Sequence, residues 1–172
     1  MNQKIKEELK EPIREFHLPR YLEIPDVGLY LEQVTKYLNE YLAPLEDIFI
    51  TSSMISNYVK KGLVSNPVKK QYNREQIAYL MFIAVAKSVV SLEDIGLAVN
   101  SQKKTYTLKV AYDYFCQELE NILQVVFGIK ESLDTVGVDN TDEKVMLRNL
   151  IITVAHKVYL DMYFAKLHEE QK

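Results

Sequence analysis

One short stretch of the sequence carries the side chains best suited to chemistry. If residues 51–61 form an α-helix, four polar side chains share its outer face, because residues three and four apart lie one above another. The four are Ser53, Ser56, Asn57 and Lys60. An amide can pair with two atoms of an adenine edge, a hydroxyl can donate or accept in the major groove, and a lysine pairs with phosphate. The pattern is typical of a helix that binds duplex DNA.

The charge of this region is opposite to that of the whole chain. Residues 51–74 contain five basic residues and no acidic one, whereas the 172-residue chain has a formal net charge of −3. A local excess of positive charge is what an anion-binding surface requires. A solvated helix face with chance clustering of lysines is the alternative interpretation. The side chains we expect at a DNA surface are Ser52, Ser53, Ser56, Asn57, Tyr58, Lys60, Lys61, Lys69, Lys70, Tyr72 and Arg74.

The elements around this stretch must position it. Thr51 is a favourable N-cap and Gly62 suits the left-handed C′ position, which predicts a short helix between them. An amphipathic helix is predicted before it, over residues 28–42. In residues 64–72 apolar and polar residues alternate without a helical period, and a proline lies among them. This pattern predicts a short two-stranded ribbon or an ordered loop.

A core helix is predicted after the ribbon. Asn73 and Gln76 form a capping-box pattern at its start, and residues 74–90 are apolar almost all round, as in the centre of a core. The other predicted elements are a helix over residues 2–16 with a break at Pro12, an extended connector over 18–26, a short helix from Ser91 to about Val99, a polar hinge over 100–105, and long helices over 106–127 and 142–168, the last capped by Asn140.

These elements predict a mainly α protein. We expect a winged helix-turn-helix core with a small wing, and long C-terminal helices that pack as a bundle. The predicted regions are an N-terminal helix and connector over residues 1–27, the winged core over 28–100, and a C-terminal dimerisation or effector region over 101–172.

Part of the chain resembles a known family. Residues 55–63, Ile-Ser-Asn-Tyr-Val-Lys-Lys-Gly-Leu, resemble the recognition helix and turn of MerR-type transcriptional regulators. Tyr72 with Arg74 resembles the segment after the wing in that family, and the similarity extends over residues 51–95. The chain as a whole, including Leu-Pro-Arg-Tyr at 18–21, also resembles a family of uncharacterised bacterial proteins with a MerR-like domain of unknown function.

The resemblance implies a DNA-binding transcriptional regulator that acts as a homodimer, with helix 51–61 in the major groove and the basic wing on the backbone. It specifies no small-molecule effector. One position departs from the MerR pattern, because Ser56 stands where that family usually has an arginine. That departure and the acidic remainder of the chain favour an alternative, a non-enzymatic helical adaptor that keeps the fold and binds proteins.

Other classes of function find little support in the sequence. The three histidines, His17, His156 and His168, lack metal-ligand spacing, and no phosphate-binding glycine loop or nucleophile motif is present. We therefore expect no catalytic residue, metal or cofactor. The single cysteine, Cys116, is expected to be a packed thiol, and tyrosines in the C-terminal helices are expected to pack, with a small-molecule pocket or a dimer seam as the alternatives. The apolar runs are short for a membrane span, so the expected location is the cytoplasm.

Overall fold

The computed structural model of the chain describes residues 3–171, and these are mainly α-helical. Met1, Asn2 and Lys172, which the predicted terminal regions include, lie outside the described residues. The helices within that range are α1 (Gln3–Arg14), α2 (Leu31–Leu42), α3 (Ser52–Lys60), α4 (Arg74–Ala86), α5 (Leu92–Thr105), α6 (Leu108–Val126) and α7 (Asp142–Glu170). The predicted fold class, mainly α with long C-terminal helices, is confirmed.

The N-terminal helix and the connector after it pack onto the rest of the chain. Helix α1 runs through Pro12 to Arg14 without the predicted break. The proline lies in the last turn, where the carbonyl it leaves unpaired belongs to the exposed residue Glu8 and can bind water. The connector is extended apart from a 3₁₀ turn at Tyr21–Glu23.

The cysteine is covered by the connector. Its Sγ lies 3.7 Å from the carbonyl oxygen of Pro19, and burial raises the pKa of the Cys116 thiol to about 12. A buried neutral thiol is a poor nucleophile. The prediction of a packed thiol is therefore confirmed.

Two short strands join the region before α2 to the region after α3. Strand β1 (Leu29–Tyr30) pairs antiparallel with β2 (Gln71–Tyr72), with Leu29 opposite Tyr72. Val68 forms a single further bridge to Gln71, so of the ribbon or loop predicted over residues 64–72 only a tight hairpin at 68–71 pairs with itself, and β2 pairs with β1. Strand β1 was missed because two residues are too few to show alternation.

Several boundaries differ from the sequence predictions. Helix α4 ends at Ala86, four residues early, and α5 continues to Thr105, so the predicted hinge at residues 100–105 is helical. Lys103 and Lys104 in its last turn suit the negative end of a helix dipole, which is how a polar segment can remain helical. The N-cap of α7 is Thr141, whose Oγ1 accepts from the Lys144 amide, and Asn140 precedes it.

Helix α4 lies at the centre of the core. Its buried side chains point in every direction, and it contacts α2, α5, α6 and α7. One continuous apolar cluster among the described residues includes Leu9, Ile77 and Leu119, which come from the three predicted regions. In residues 3–171 no helix has both the length and the apolar character needed to cross a bilayer.

Candidate nucleic-acid interface

Helix α3 is fixed at both of its ends. The Thr51 Oγ1 accepts from the Met54 amide at 3.2 Å, as its N-cap role predicts. At the other end Gly62 has a φ of +74°, and the Leu63 amide donates to the Tyr58 carbonyl at 3.0 Å. This is a Schellman termination, which a glycine at C′ favours. The predicted helix and both of its end signals are confirmed, to within one residue.

The inner face of α3 sets how the helix is rotated. Ile55 is fully buried and Tyr58 is 2% exposed, so this face packs into the core. The opposite face carries Ser53, Asn57 and Lys60, all exposed to solvent. Because a helix presents opposite faces to core and solvent, burial of the inner residues leaves the polar face open.

A side-chain clamp holds the turn that joins α2 to α3. The Asn39 amide donates to the Ile50 carbonyl oxygen at 2.7 Å, and the Ile50 amide donates to Asn39 Oδ1 at 2.9 Å. The clamp keeps the start of α3 against α2. The sequence analysis did not predict this role for Asn39. Its position directly after Leu38, a residue of the apolar stripe, was a signal that its side chain could lie near the core.

The hairpin after α3 places two lysines at its tip. Lys69 and Lys70 have φ values of +50° and +65°, and the Val68 and Gln71 amides and carbonyls bond each other at 3.1 and 2.9 Å. Positive φ at both central residues is the type I′ turn, the tightest link between twisted strands. Both lysines are exposed, as a two-residue tip requires.

Gln76 joins this hairpin to α4. Its Oε1 accepts from the Asn73 amide at 2.8 Å, which confirms the predicted capping box. Its Nε2 also donates to the carbonyl oxygens of Ser65 and Asn66, at 2.9 and 3.1 Å. The sequence pattern predicted the capping role of Gln76. It did not predict the bonds to Ser65 and Asn66, because these depend on how the loop before the hairpin packs against α4.

The lysines of this region have no acidic partner in the described range. Salt bridges elsewhere in residues 3–171 occupy many other cations, but none involves Lys60, Lys61, Lys69 or Lys70. Their charge is therefore available to an anion in solution. We call the exposed set on α3 and the hairpin the basic surface; it consists of Ser53, Ser56, Asn57, Lys60, Lys61, Lys69 and Lys70.

Three residues predicted at the surface have other roles. Tyr58 is 2% exposed and Tyr72 is 4% exposed, so their rings pack in the core, where aromatic area is best stabilised. The Arg74 Nε donates to the Ile24 carbonyl oxygen at 2.9 Å, and its guanidinium lies 3.6 Å from Asp26 Oδ2 and over the Tyr21 ring. Arg74 therefore ties the connector to α4, and its charge is already paired.

The hydroxyls at the start of α3 are partly engaged as well. Ser52 is half-buried, and its Oγ donates to Glu32 Oε1 at 3.2 Å and lies 2.9 Å from Thr35 Oγ1. Ser56 is exposed, but its Oγ donates to the Ser52 carbonyl at 3.0 Å. An exposed carboxylate from α2 thus lies beside the first turn of α3. Positive charge is concentrated at the end of α3 and in the hairpin.

The region offers no evident metal chemistry. No group of three or more histidine, cysteine or acidic side chains in residues 3–171 is arranged to hold a metal ion. The basic surface is built from amide, hydroxyl and ammonium groups, which bind anions and base edges by hydrogen bonds and charge.

Comparison with known proteins places the whole site inside one family match. A family model described as "Domain of unknown function (DUF1836)" matches residues 19–115, more than half of the chain. The match begins in the connector, includes α2, α3, the hairpin, α4 and α5, and ends within α6. No curated protein and no solved structure matches the chain.

Proposed function

Since the chain belongs to the DUF1836 family, a family of unknown function, we propose its activity from the site: it is a sequence-specific DNA-binding transcriptional regulator. Helix α3 enters the major groove and the hairpin lies on the sugar-phosphate backbone. The observation that carries this proposal is the basic surface, whose polar groups are exposed and whose four lysines lack acidic partners in residues 3–171.

The side chains divide into two roles on the duplex. Ser53 in the first turn of α3 and Asn57 in the middle of its outer face reach base edges and supply sequence preference. The lysines at the end of α3 and at the hairpin tip contact phosphates, which sets affinity and register. The basic surface rests on residues that take no part in binding: the rings of Tyr58 and Tyr72 pack in the core, and Arg74 ties the connector to α4. The order of α2, α3, hairpin and α4 supports a winged, MerR-like arrangement.

We propose that the regulator works as a homodimer. One small module makes few contacts, and helix-turn-helix proteins commonly bind two half-sites about 34 Å apart. Helix α7 supports a self-association role, because it exposes Val145, Met146, Leu160 and Phe164. Burying such side chains against a second copy would remove apolar area from water.

A salt titration tests the proposal. Fluorescence anisotropy of a labelled duplex, long enough for two half-sites, measures affinity at several salt concentrations. If all four lysines of the basic surface neutralise phosphates, log K falls against log salt with a slope of about −4 for one chain and about −7 for a dimer. Absence of binding at low salt would contradict the proposal.

Charge-removing variants locate the binding surface. Lys60→Gln with Lys61→Gln, and separately Lys69→Gln with Lys70→Gln, should each weaken binding and reduce the slope by about 2 for each chain bound. The matched control is Lys6→Gln with Lys104→Gln, which removes the same charge from exposed positions on α1 and α5. Equal effects of all three pairs would show that the net charge matters and the basic surface does not.

A non-enzymatic adaptor is the second candidate. The Glu32 carboxylate beside the start of α3 favours it, because it repels phosphate there. Capture of partners from lysate with and without nuclease separates the two functions. A DNA-binding protein loses its nucleic acid on nuclease treatment, whereas an adaptor retains a protein partner that Asn57→Ala or the lysine variants release.

A further inference from the structure

A cavity of about 380 Å³ lies away from the basic surface. Its walls come from α4, α5, α6, the segment between α6 and α7, and the start of α7. Most of the lining is apolar or aromatic, with contributions from Tyr79, Phe82, Val99, Phe115 and Leu147. Phe82 and Phe115 meet edge to face, with ring centroids 5.3 Å apart. These rings provide rigid apolar walls.

Four of the five charged side chains at the cavity are paired with one another. The Lys109 Nζ donates to Asp113 Oδ2 at 2.9 Å, and the Lys144 Nζ donates to Asp139 Oδ1 at 3.2 Å. Glu143 accepts from the Ser101 hydroxyl at 3.0 Å. A neutral occupant leaves these two ion pairs intact, whereas a charged one would compete with them.

Neutral hydrogen-bonding side chains also line the cavity. Tyr114, Gln102 and Gln117 contribute to it, and the Gln102 amide donates to the Tyr106 carbonyl oxygen at 2.7 Å. Ligand sites in proteins combine an apolar lining with a few polar groups that orient the molecule. The composition of this cavity fits that description.

The segment between α6 and α7 closes one side of the cavity. The Tyr106 hydroxyl donates to Asp139, and the Lys144 Nζ donates to the Asp139 carbonyl oxygen at 2.9 Å. The Lys144 ammonium also lies 5.2 Å from the centre of the Tyr114 ring. These contacts hold Gly137 and Asp139 against the lining, so the cavity has a formed wall on this side.

We propose that this cavity binds a neutral aromatic molecule of about two fused rings. An apolar cavity of about 150 Å³ accommodates benzene, so the larger volume here suits a bicyclic molecule with one or two polar substituents. The aromatic walls stack against such rings, and the tyrosine and glutamine groups bond its substituents. The inference does not depend on DNA binding.

Titration with prodan, a neutral naphthalene ketone whose emission moves to the blue in apolar surroundings, tests the site. We expect saturable binding of one dye per chain. Ala111→Leu, at a half-buried lining position of α6, should weaken binding by tenfold or more because the added carbons fill the cavity. Ala165→Leu is the matched control on an exposed position of α7 and should bind as the wild type.

Unsaturable binding, or unchanged affinity in Ala111→Leu, would overturn the proposal. A second measurement, made on the wild-type protein, tests the site even if the Ala111→Leu variant does not fold. In methyl-labelled wild-type protein, ring currents from prodan should shift the Met146 resonance, because Met146 lines the cavity, and leave Met54, which lies against Lys87, unchanged. An unmoved Met146 resonance would contradict the site. Neither readout involves DNA, so this proposal and the proposed function can fail separately.

Discussion

At the scale of single residues, a buried carboxylate costs the fold some stability. Glu118 is 2% exposed; its Oε1 lies 3.0 Å from Arg148 Nε in a salt bridge, and its Oε2 has no hydrogen-bond partner among the described residues. Burial raises the pKa of Glu118 above the usual 4.5, because desolvation disfavours the charged form. The folded chain therefore binds this proton more tightly than the unfolded chain does.

We expect Glu118→Gln to flatten the pH dependence of stability. In the wild type, tighter proton binding by the folded chain adds to the free energy of unfolding. This addition is fully present below pH 4.5 and is lost as the pH rises through the higher pKa of the folded state. The variant lacks that loss, so its advantage in the free energy of unfolding over the wild type should grow as the pH rises from 4.5 to 7. Urea unfolding across this range measures it, with the exposed Glu131→Gln as control. A constant difference at every pH would contradict the assignment.

A second residue, Glu120, holds the connector to α6. Its two oxygens accept from the two terminal nitrogens of Arg20, each at 2.7 Å, and Oε1 also accepts from the Leu18 amide at 2.9 Å. These bonds raise the pKa of Arg20, which keeps the guanidinium charged. A part-buried fork with a backbone bond is far less screened than an exposed pair.

Glu120→Ala should lower the free energy of unfolding by about 3 kcal/mol, because it leaves a part-buried guanidinium and a backbone amide without their acceptor. Glu40→Ala breaks an exposed pair with Lys36, in which the two side chains are 62% and 80% exposed, and should cost less than about 0.5 kcal/mol. Chemical denaturation of the two variants gives the comparison. Similar losses in both would show that the fork contributes no more than a surface pair.

At the scale of elements, the hairpin holds charge at the expense of turn stability. Type I′ turns favour asparagine followed by glycine, since both central residues have positive φ, and lysine is strained there. Here both positions are lysine. Under the proposed function, the tip supplies charge to the DNA backbone at the expense of turn stability.

Replacing the tip by Lys69→Asn with Lys70→Gly separates the two effects. The variant should be more stable than the wild type by about 1 kcal/mol, because glycine relieves the strain of a left-handed backbone. The slope of log K for DNA against log salt should become less steep by about 2 for each chain bound. Lys69→Gln with Lys70→Gln removes the same charge and keeps the strain. Thermal unfolding and anisotropy measure the two effects, and unchanged DNA binding in both variants would remove the hairpin from the interface.

At the scale of the whole molecule, the basic surface and a set of exposed apolar side chains lie on different elements. The basic surface lies on α3 and the hairpin, whereas α7 packs extensively on α6 and also exposes Leu160 and Phe164. Exposed apolar side chains on one long helix are a feature of association surfaces. The proposed dimer uses this helix.

Leu160→Glu with Phe164→Glu should convert the dimer into a monomer, because like charges would then face one another in the seam. Sedimentation velocity measures the change, and the salt slope of DNA binding should fall from about −7 to about −4. Leu22→Glu with Val27→Glu is the matched control, since both residues are exposed apolar residues in the connector region. A wild-type chain that sediments as a monomer would contradict the proposed dimer.

Local signals were enough to predict much of the fold. The Thr51 and Asn73 caps, the glycine after α3 and the apolar α4 are each encoded within a few residues, because capping bonds and helix periodicity act over one or two turns. The same short range explains the mainly α fold class. The exposed outer face of α3 also follows from the spacing of Ile55 and Tyr58, which pack on the opposite side.

Only the tertiary structure decided which polar groups remain available. The sequence placed Tyr58, Tyr72 and Arg74 among the surface residues, but core packing buries the two rings and Asp26 and the connector carbonyls engage the arginine. Glu32 beside α3, the second role of Gln76 and the cavity beneath Tyr106 likewise depend on segments far apart in the chain. Burial, pairing and cavities arise from contacts between distant residues, and these contacts form only when the whole chain packs.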